Sequence, residues 1–273
     1  MRNQGFEVVL NTINFQPKHV GGFKWTTQIN FSTNKNTILK LVNNYVSNDY
    51  DRHVGTDFYQ WYLKPYDGVN PANGQALWLD SAKGKVRDTT NWGSGSYYDK
   101  GSALPKFYGS LINVLSYKHF TLLFQLYCNW GNKIYDQNGI FNSSDGTYGF
   151  GATGNVPYYD YANRWRKPGD KTDVPAPVIY GTQTGLSSQP STRYLYDGSY
   201  VRMRDIMLSY DFPAKWLSKA KLSTTRVYIR ANNLFTYKKD KRLYYDPETP
   251  IDGTINLRPP TSATILFGAD INF

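Results

Sequence analysis

The chain has 273 residues, of which 16% are aromatic and 19% charged, and its formal net charge is +10. A mean hydropathy of −0.57 and the lack of a long apolar run exclude membrane-spanning helices, although not barrel strands, which place only every second residue against lipid. The basic residues are scattered, and their densest run, residues 238–242, lies between two predicted strands, which favours a solvated loop over a nucleic-acid site.

Seven segments alternate apolar and polar residues with the period of two that a β-strand requires. They are residues 3–16, 22–32, 106–117, 120–130, 199–212, 223–235 and 261–273. Shorter strands are predicted at 59–63 and 76–79, and one helical turn around Trp216. In the fourth long segment every second side chain is apolar, so Cys128 is interpreted as an apolar filler rather than a metal or redox group.

The last segment has two unlike faces and ends on an aromatic residue. Its apolar face consists of Ala263, Ile265, Phe267, Ala269, Ile271 and Phe273. The other face is mostly polar. A terminal strand of this kind is typical of transmembrane β-barrels of bacterial outer membranes, whose apolar side faces lipid. The edge strand of a soluble sandwich shows the same alternation, so that alternative stays open at this point.

The connections between the seven strands alternate strictly between short and long. The short ones are residues 17–21, 118–119 and 213–222, and the long ones are 33–105, 131–198 and 236–260. In an up-and-down barrel, short turns lie on one rim and long loops on the other. Bacterial barrels close with even strand numbers from eight upwards, so seven strands form an arc. The sequence therefore predicts an all-β fold, a partial transmembrane antiparallel β-barrel with long outward loops and short periplasmic turns.

Residues that could carry chemistry do not converge on a catalytic pattern. Gly149 to Gly154 has the spacing of a dinucleotide loop, but it neither follows an apolar strand nor opens a helix. The three histidines are far apart. Asp246 and Glu248 flank a proline in a loop, where such acids more often cap or are solvated than bind a cation. We therefore expect no enzyme activity, no cofactor and no metal.

The long loops carry aromatic residues that are candidate stacking platforms for sugar rings. These substrate-contact candidates are Trp61, Tyr62, Trp78, Trp92 and Trp165. The alternative, which the residue types favour somewhat, is that these loop aromatics pack on one another.

Several segments, in their order along the chain, resemble one family. They are NQGFE (3–7), DGVNPANG (67–74), LPKFYG (104–109), GNKIY (131–135), YVRMRDIMLSYDFP (200–213), RVYIRANNLF (226–235) and YDPE (245–248). Together they resemble the C-terminal region of SusC/RagA-type TonB-dependent outer-membrane transporters. The resemblance covers most of the chain and is weakest from residue 137 to 190.

The resemblance implies a 22-stranded barrel in the cell outer membrane, plugged by an N-terminal domain and covered by a SusD-like surface lipoprotein. Uptake of glycan or peptide fragments would be driven by the TonB complex. Because no signal peptide, TonB box or plug is recognised, residues 1–273 are expected to be the C-terminal part of such a barrel, without plug and N-terminal strands. Nucleic acid is not an expected partner.

The same resemblance assigns roles to the two faces of the strands. The residues expected to face the lumen are Gln28, Asn30, Arg226, Tyr228 and Arg230, of which the last three are substrate-contact candidates. Phe267, Ile271 and Phe273 are expected to face outer-membrane lipid and to form the signal that the assembly machinery reads. The competing hypothesis is a soluble β-sandwich that binds carbohydrate through its aromatic loops.

Overall fold

Seven long strands form one antiparallel sheet in which each strand pairs with the next one along the chain. We label them β1 (Glu7–Phe15), β2 (Lys24–Ser32), β3 (Phe107–Tyr117), β4 (Phe120–Trp130), β5 (Tyr200–Asp211), β6 (Thr224–Lys238) and β7 (Thr264–Asn272). The structure is a computed structural model that describes residues 1–42, 45–46, 50–80, 85–88, 92, 97–143, 156–177, 187–256 and 258–273. The predicted order of seven strands is confirmed.

The first predicted strand, residues 3–16, is wrong as a single element. It is divided into Arg2–Gln4, which pairs with Lys35–Thr37, and β1. The break falls at Gly5, where a Cβ would lie only 1.9 Å from the carbonyl oxygen of Thr33. The Phe6 amide donates to the Thr33 hydroxyl, 3.0 Å away, and so leaves the ladder. This close backbone approach requires glycine and separates the strand Arg2–Gln4 from β1.

A bulge in β5 and β6 explains why the sequence pattern was mixed in residues 199–212. The register between the two strands shifts between Met203 and Asp205, and Asn233 on the facing strand adopts a left-handed φ of 54°. The same position of β5 shifts against β4. A bulge inserts an unpaired residue and resets the alternation, so residues on either side of Arg204 no longer follow one period of two.

Directly paired residues of neighbouring strands lie on the same face of a sheet, so the register defines two faces. The apolar face includes Leu10, Trp25, Ile29, Phe31, Leu111, Leu115, Leu122, Phe124, Ile206, Leu208, Val227, Ile229, Ile265, Phe267 and Ile271. The polar face includes Gln28, Asn30, Ser110, Gln125, Arg202, Asp205, Ser209, Arg226, Tyr228, Arg230 and Asp270. The sequence placed these side chains on the same faces wherever it assigned one.

The apolar face is exposed rather than covered. Phe267 is 80% exposed, and Leu10, Leu208 and Ile265 are exposed as well. Within the described residues no second sheet of comparable size packs against this face, because the other sheets have two or three short strands. The soluble β-sandwich hypothesis is therefore wrong.

Aromatic side chains mark both ends of the apolar face. At the long-loop end, the rings of Phe31 and Phe107 lie 5.7 Å apart and those of Phe107 and Trp130 6.4 Å apart. At the short-turn end, Phe120 and Tyr210 lie 4.8 Å apart. Ten residue steps along β3 at ~3.3 Å each, tilted by ~40°, give about 25 Å between the two ends. This is the height of the apolar band of an outer-membrane barrel.

The described residues of the long loops fold into a layer at one end of the sheet, which we call the loop layer (the described residues within 33–106, 131–199 and 239–263). Its short strands are Lys35–Thr37, Tyr45–Val46, Asp51–Arg52, Gln60–Leu63, Tyr66–Val69, Ala76–Asp80, Lys85–Asp88, Tyr98–Ser102, Lys133–Asp136, Leu195–Asp197 and Thr254–Ile255. Two short helices lie there, Gly139–Asn142 and Tyr158–Asn163, and a third, Ala214–Leu217, forms the predicted turn around Trp216. Among the described residues, no helix is long and apolar enough to cross a membrane.

The buried apolar core belongs to the loop layer. One cluster consists of Trp61, Leu63, Ala103, Tyr135 and Tyr194, and a second of Ile134, Leu243 and Ile255. Both clusters draw residues from more than one long loop, so the loops fix one another's positions above the sheet. The sequence predicted long loops but not that they would share a core.

Candidate functional site

The polar face of β6 carries three candidates that alternate along the strand, Arg226, Tyr228 and Arg230. Their register with β5 and β7 places them on one face with Gln28 and Asn30, as the sequence predicted. Tyr228 lies across Gly268 of β7, where a Cβ would come within 2.3 Å of the ring. A larger residue at Gly268 would push this ring away from the wall of the sheet.

Both arginines of this row are paired with carboxylates of the neighbouring strand. Arg226 Nε lies 2.7 Å from Asp211 Oδ1, and Arg230 donates through two nitrogens to the Asp205 carboxylate at 2.8 and 2.7 Å. Bidentate pairing fixes the plane of a guanidinium group. The row therefore presents oriented, charge-balanced groups to the polar side.

A buried ion cluster, which we call the Arg202 clamp, joins the sheet to the loop layer. Arg202 of β5 is 2% exposed, and it donates to Asp246 Oδ1 at 2.5 Å and to Glu248 Oε2 at 2.7 Å. Its Nε donates to the Thr236 hydroxyl of β6 at 3.0 Å, and Arg204 holds the second oxygen of Glu248 at 2.9 Å. The cluster ties residues 246–248 to the inner rim of the sheet.

The sequence analysis did not predict this cluster, although the segments 200–213 and 245–248 contain its arginines and its acids. Asp246 and Glu248 were interpreted as capping or solvated acids, which is incomplete: Asp246 does accept the Glu248 amide at 2.9 Å, but both carboxylates bind Arg202. Burial raises the pKa of Asp246, but hydrogen bonds from the amides of Glu248 and Thr261 and from Arg202 outweigh it and lower the pKa below its usual value. The available signal was two arginines at alternate strand positions with two acids in the following loop.

Two of the five loop aromatics are fully enclosed. Trp61 and Trp78 are each 1% exposed. Trp61 stacks on Tyr50 with ring centres 4.6 Å apart, and Trp78 meets Tyr66 at 5.4 Å. In this conformation both rings are inaccessible and pack on other loop aromatics, as the alternative interpretation describes, and their role as substrate platforms stays a prediction. Burial of an indole ring is a large stabilising contribution to a layer made of short strands.

The other three loop aromatics are partly accessible. Tyr62 stacks on Tyr97 with ring centres 5.4 Å apart, and the Lys64 ammonium lies 3.7 Å from the centre of the Trp92 ring. The Trp165 indole donates to the carbonyl of Pro71 at 3.1 Å. These three residues remain substrate-contact candidates, because their side chains are partly accessible.

The loop layer also contains a cavity of about 230 Å³ where segments of all three long loops meet. Its lining includes Tyr66, Tyr159, Asp160, Arg193, Tyr196 and Arg242. Burial and the neighbouring Asp173 carboxylate, which accepts the Tyr159 hydroxyl at 3.0 Å, together raise the pKa of Tyr159 to about 12. The cavity is thus lined by protonated phenols and by charges of both signs.

Other predicted features fall elsewhere. The glycine spacing at 149–154 lies outside the described residues. No cluster of three or more His, Cys, Asp or Glu suited to a metal occurs in the part of the chain that the structure describes. The basic run pairs with loop acids, Lys239 with Asp197 at 2.8 Å and Arg242 with Asp240 at 2.9 Å.

Phe267, Ile271 and Phe273, predicted to form the assembly signal, lie at the exposed apolar end of the chain. Their exposure is compatible with contact to lipid or to an assembly factor. The signal itself stays a prediction.

A single antiparallel sheet with one exposed apolar face, aromatic girdles and one polar face defines the class of outer-membrane β-barrel proteins. No family model matches the chain. It is 28% identical to TonB-dependent receptor P3 of Formosa agariphila over 98% of the chain and 27% of that receptor. It is 25% identical to TonB-dependent receptor P26 of the same organism, over 91% of the chain and 26% of the receptor.

Solved structures of two transport assemblies have a similar fold. The RagAB peptide transporter matches with a TM-score of 0.78 and 20% identity over 99% of this chain and 29% of that one. The RagAB peptide importer in its open-open state matches with a TM-score of 0.79 and 21% identity over 99% of this chain and 28% of that one. The chain thus spans less than a third of the length of these proteins.

The curated relatives confirm the resemblance to TonB-dependent receptors, and the solved structures confirm the all-β barrel-wall fold. TonB-dependent receptors are outer-membrane β-barrel proteins, which confirms the predicted location. The matched proteins are named as receptors and transporters rather than as enzymes.

Proposed function

We propose that this chain is the C-terminal part of a TonB-dependent nutrient transporter, contributing seven strands of its wall and three of its outward loops. The single observation that supports this most strongly is the sheet with two solvents: a girdled, exposed apolar face and a polar face of paired charges. Such a sheet is stable only with lipid on one side and water or polar protein on the other. The transporter imports glycan or peptide fragments, and TonB drives the import through the plug.

Residues of the polar face and of the loops line the substrate route in this proposal. The candidates are Arg226, Tyr228 and Arg230 on β6 and Tyr62, Trp92 and Trp165 in the loops. Two of the matched structures are of a peptide transporter and a peptide importer, which supports import of oligomeric nutrients.

A SusD-like lipoprotein is the proposed partner on the outer side. The loop layer exposes several large apolar side chains although it has a buried core of its own. They are Val54, Phe141, Val156, Tyr158, Tyr161 and Ile251. Apolar groups exposed on a folded layer in water favour a protein partner over open solvent.

Uptake by the native organism tests this function. The receptor gene that contains this chain is deleted and then restored, and uptake of fluorescent oligosaccharides and oligopeptides is measured in each strain. We expect deletion to abolish uptake of one of the two classes and restoration to recover it. Unchanged uptake of both classes, together with a receptor that purifies from detergent without a lipoprotein partner, would refute the proposal.

A further inference from the structure

The cavity in the loop layer is built by residues far apart in sequence. Its floor consists of Tyr66, Arg193 and Tyr194, and its rim includes Arg242 and Tyr244. Tyr194 is fully buried, whereas Tyr244 is exposed. The cavity therefore has a closed, ordered floor and an open mouth, which is the shape of a small-molecule site rather than of a packing defect.

The floor holds a buried cation whose carboxylate partner stands at a distance. The Arg193 side chain is 7% exposed, and its NH2 lies 3.7 Å from Asp160 Oδ1, beyond hydrogen-bond length. The NH1 group donates to the Tyr194 hydroxyl at 3.1 Å. Arg193 already binds the Tyr194 hydroxyl, and Asp160 has a hydrogen bond with the Ser143 side chain. Both charged groups also line the cavity, so a ligand hydroxyl beside them would accept from Arg193 and donate to Asp160.

The lining carries both signs of charge at close range. Arg193 and Arg242 lie opposite Asp160 and Asp173, so an ionic ligand of either sign would meet a like charge. Asp173 already accepts the Tyr159 hydroxyl. Burial raises the pKa of Asp160, although Arg193 opposes the shift, so that carboxyl is itself costly to leave unsolvated. A neutral ligand with many hydroxyl groups fits these groups better than an ion does.

Tyrosine rings make up much of the remaining lining. Tyr159 and Tyr196 are partly exposed and Tyr244 is exposed, so their rings are the ones that a ligand can reach. Aromatic faces pack against the C–H side of a pyranose ring, while phenol groups donate to its oxygens. A volume of about 230 Å³ lies below the ~300–1,000 Å³ of pockets that hold drug-sized ligands. It holds one ring rather than an oligosaccharide.

We infer that this cavity binds a single neutral sugar unit, with Arg193, Asp160 and Tyr159 as its polar contacts. The inference rests on the proposed function, because it takes the loop layer to face the medium from which the transporter draws its substrate. The site lies in the loops, apart from the polar row of β6, and so it would hold one unit of a glycan at the outer mouth before the rest enters the lumen.

Binding to the complete receptor in detergent tests this inference. Saturation-transfer NMR and calorimetry are run with a panel of methyl glycosides of neutral hexoses, 6-deoxyhexoses and pentoses, and with trialanine as the peptide probe. We expect at least one glycoside to bind. The Asp160→Asn variant should bind it about tenfold more weakly or worse, since it loses a charge-assisted hydrogen bond. Tyr159→Phe should also bind it more weakly, since it loses a phenol oxygen that accepts from the ligand.

Matched variants separate local contact from general damage. Tyr158→Phe changes the exposed neighbour of Tyr159, and Asp170→Asn changes an acid of the same loop outside the cavity. Both should bind the glycoside as the unchanged receptor does. Tyr244→Ala changes only the exposed rim and leaves the floor intact. This variant should weaken binding, and it provides the test if Asp160→Asn does not fold.

Three results would overturn the inference: no glycoside binds, the cavity variants bind as tightly as the controls, or trialanine binds and is lost in the cavity variants. Uptake distinguishes this failure from failure of the proposed function. A receptor that imports nutrient but binds no glycoside at the cavity refutes only the site. A receptor that binds the glycoside through Asp160 but imports nothing refutes the transport proposal and leaves the site standing.

Discussion

The wall of seven strands and the loop layer use the same kinds of residue in opposite ways. On the wall, Phe267 is 80% exposed, whereas Trp61 in the loop layer is 1% exposed. A side chain that faces lipid is already in an apolar solvent, so exposure there costs little. A side chain in the loop layer faces water and gains roughly 25 cal/mol per Å² by burial. The difference shows that burial alone does not identify the core of such a chain, because each region has its own solvent.

Ion pairs also differ between the wall and its junction with the loop layer. On the wall, the pair of Arg226 and Asp211 is about half exposed at the polar face. Where the wall meets the loops, Arg202 is buried against Asp246, which is 14% exposed, and it also binds the more exposed Glu248. Exposed pairs contribute little to stability, but a buried pair that loses one partner leaves an uncompensated charge. The junction between the two regions is therefore the most sensitive place in the molecule.

The largest expected effect comes from breaking this junction. Arg202→Ala removes the wall residue that binds both Asp246 and Glu248, and removal of one member of a buried pair such as Arg202–Asp246 costs about 3–5 kcal/mol. We expect residues 239–263 to detach and to become sensitive to protease in the detergent-purified receptor, while the wall stays folded. Peptide mapping after brief proteolysis measures this.

The matched control for this change is Arg204→Ala. Arg204 contacts only one of the two acids, Glu248, and is itself about one-third exposed. We expect its loss to cost at most ~1 kcal/mol. If the two variants are cut at the same rate, the buried pairs do not fasten the loop layer to the wall.

The wall was predictable from the sequence because its information is local. Alternation of apolar and polar residues identifies the two faces of a strand. The sequence therefore predicted β4 with its correct bounds and placed Cys128 on its apolar face. The bulge at Arg204 and Asn233 was not predictable, because it depends on how two strands shift against each other. It appeared in the sequence only as a mixed pattern in β5.

The loop layer was largely unpredictable because its contacts are long-range. Two of its short strands, Gln60–Leu63 and Ala76–Asp80, were predicted, but the others have only two to five residues and show no clear period. The Arg202 clamp joins residues 44 and 46 positions apart, and the Trp61 indole donates to a carbonyl 72 positions away. Candidate aromatics could be named from composition, but burial of Trp61 and Trp78 follows from which loops meet.

The second prediction tests the solvent of the apolar face. Phe267 lies in the middle of the apolar row of β7, where Phe267→Arg should cost about 2–4 kcal/mol, and Ile271→Arg near the end of the strand only ~0–1 kcal/mol. We expect surface levels of the full receptor to fall most for Phe267→Arg. Quantitative blotting of purified outer membranes measures both variants.

The same assay separates the lipid face from the assembly signal. Deletion of Phe273 removes a residue beyond the last paired position of β7, so a strong loss of surface receptor would support its role as part of the signal. Asn272→Arg, on the opposite face of β7, is the control and should assemble normally. Equal assembly of Phe267→Arg and Asn272→Arg would contradict the assignment of the two faces.

The third prediction concerns pH and the loop layer. Burial raises the pKa of Asp136 to about 6, although amides of Gly139 and Asn138 donate to it and oppose the shift. The folded state therefore holds this proton more tightly than the unfolded state does. Stability falls as the pH rises from about 4 to about 6, by up to about 3 kcal/mol, and stays lower above that range.

Hydrogen exchange of the strand pair Lys133–Asp136 and Leu195–Asp197 measures this, after correction for the intrinsic exchange rate. Asp136→Asn should make protection independent of pH in this window. Asp197 provides a contrast of opposite sign: its pKa is lowered to about 2, since bonds from Lys239 and Ser199 outweigh burial. Its contribution is present above about pH 4 and is lost on acidification. A pH profile that Asp136→Asn leaves unchanged would contradict the role of this carboxyl.

The smallest expected effect lies on the wall, where a few polar side chains interrupt the apolar face. Asn113 of β3 is buried, and its Oδ1 accepts from the Trp25 indole at 2.8 Å and from the Thr27 hydroxyl at 2.7 Å. Thr27 in turn accepts from Asn14. Because each of these groups would otherwise face lipid unsatisfied, we expect the cluster to hold β1, β2 and β3 in register at a gain of about 0.6–2 kcal/mol.

A double-mutant cycle in lipid vesicles isolates this term. Asn113→Leu and Thr27→Val are made singly and together, and urea unfolding gives the free energy of each form. A coupling of about 0.6–1.7 kcal/mol is expected for hydrogen bonds within a membrane, and Leu111→Ala, which changes only apolar area on the same face, should show none with Thr27→Val. An Asn113→Leu receptor that is as stable as the unchanged one would show that Trp25 and Thr27 can face lipid without these hydrogen bonds. The wall and the loop layer would then differ less in their solvents than the burial of their side chains indicates.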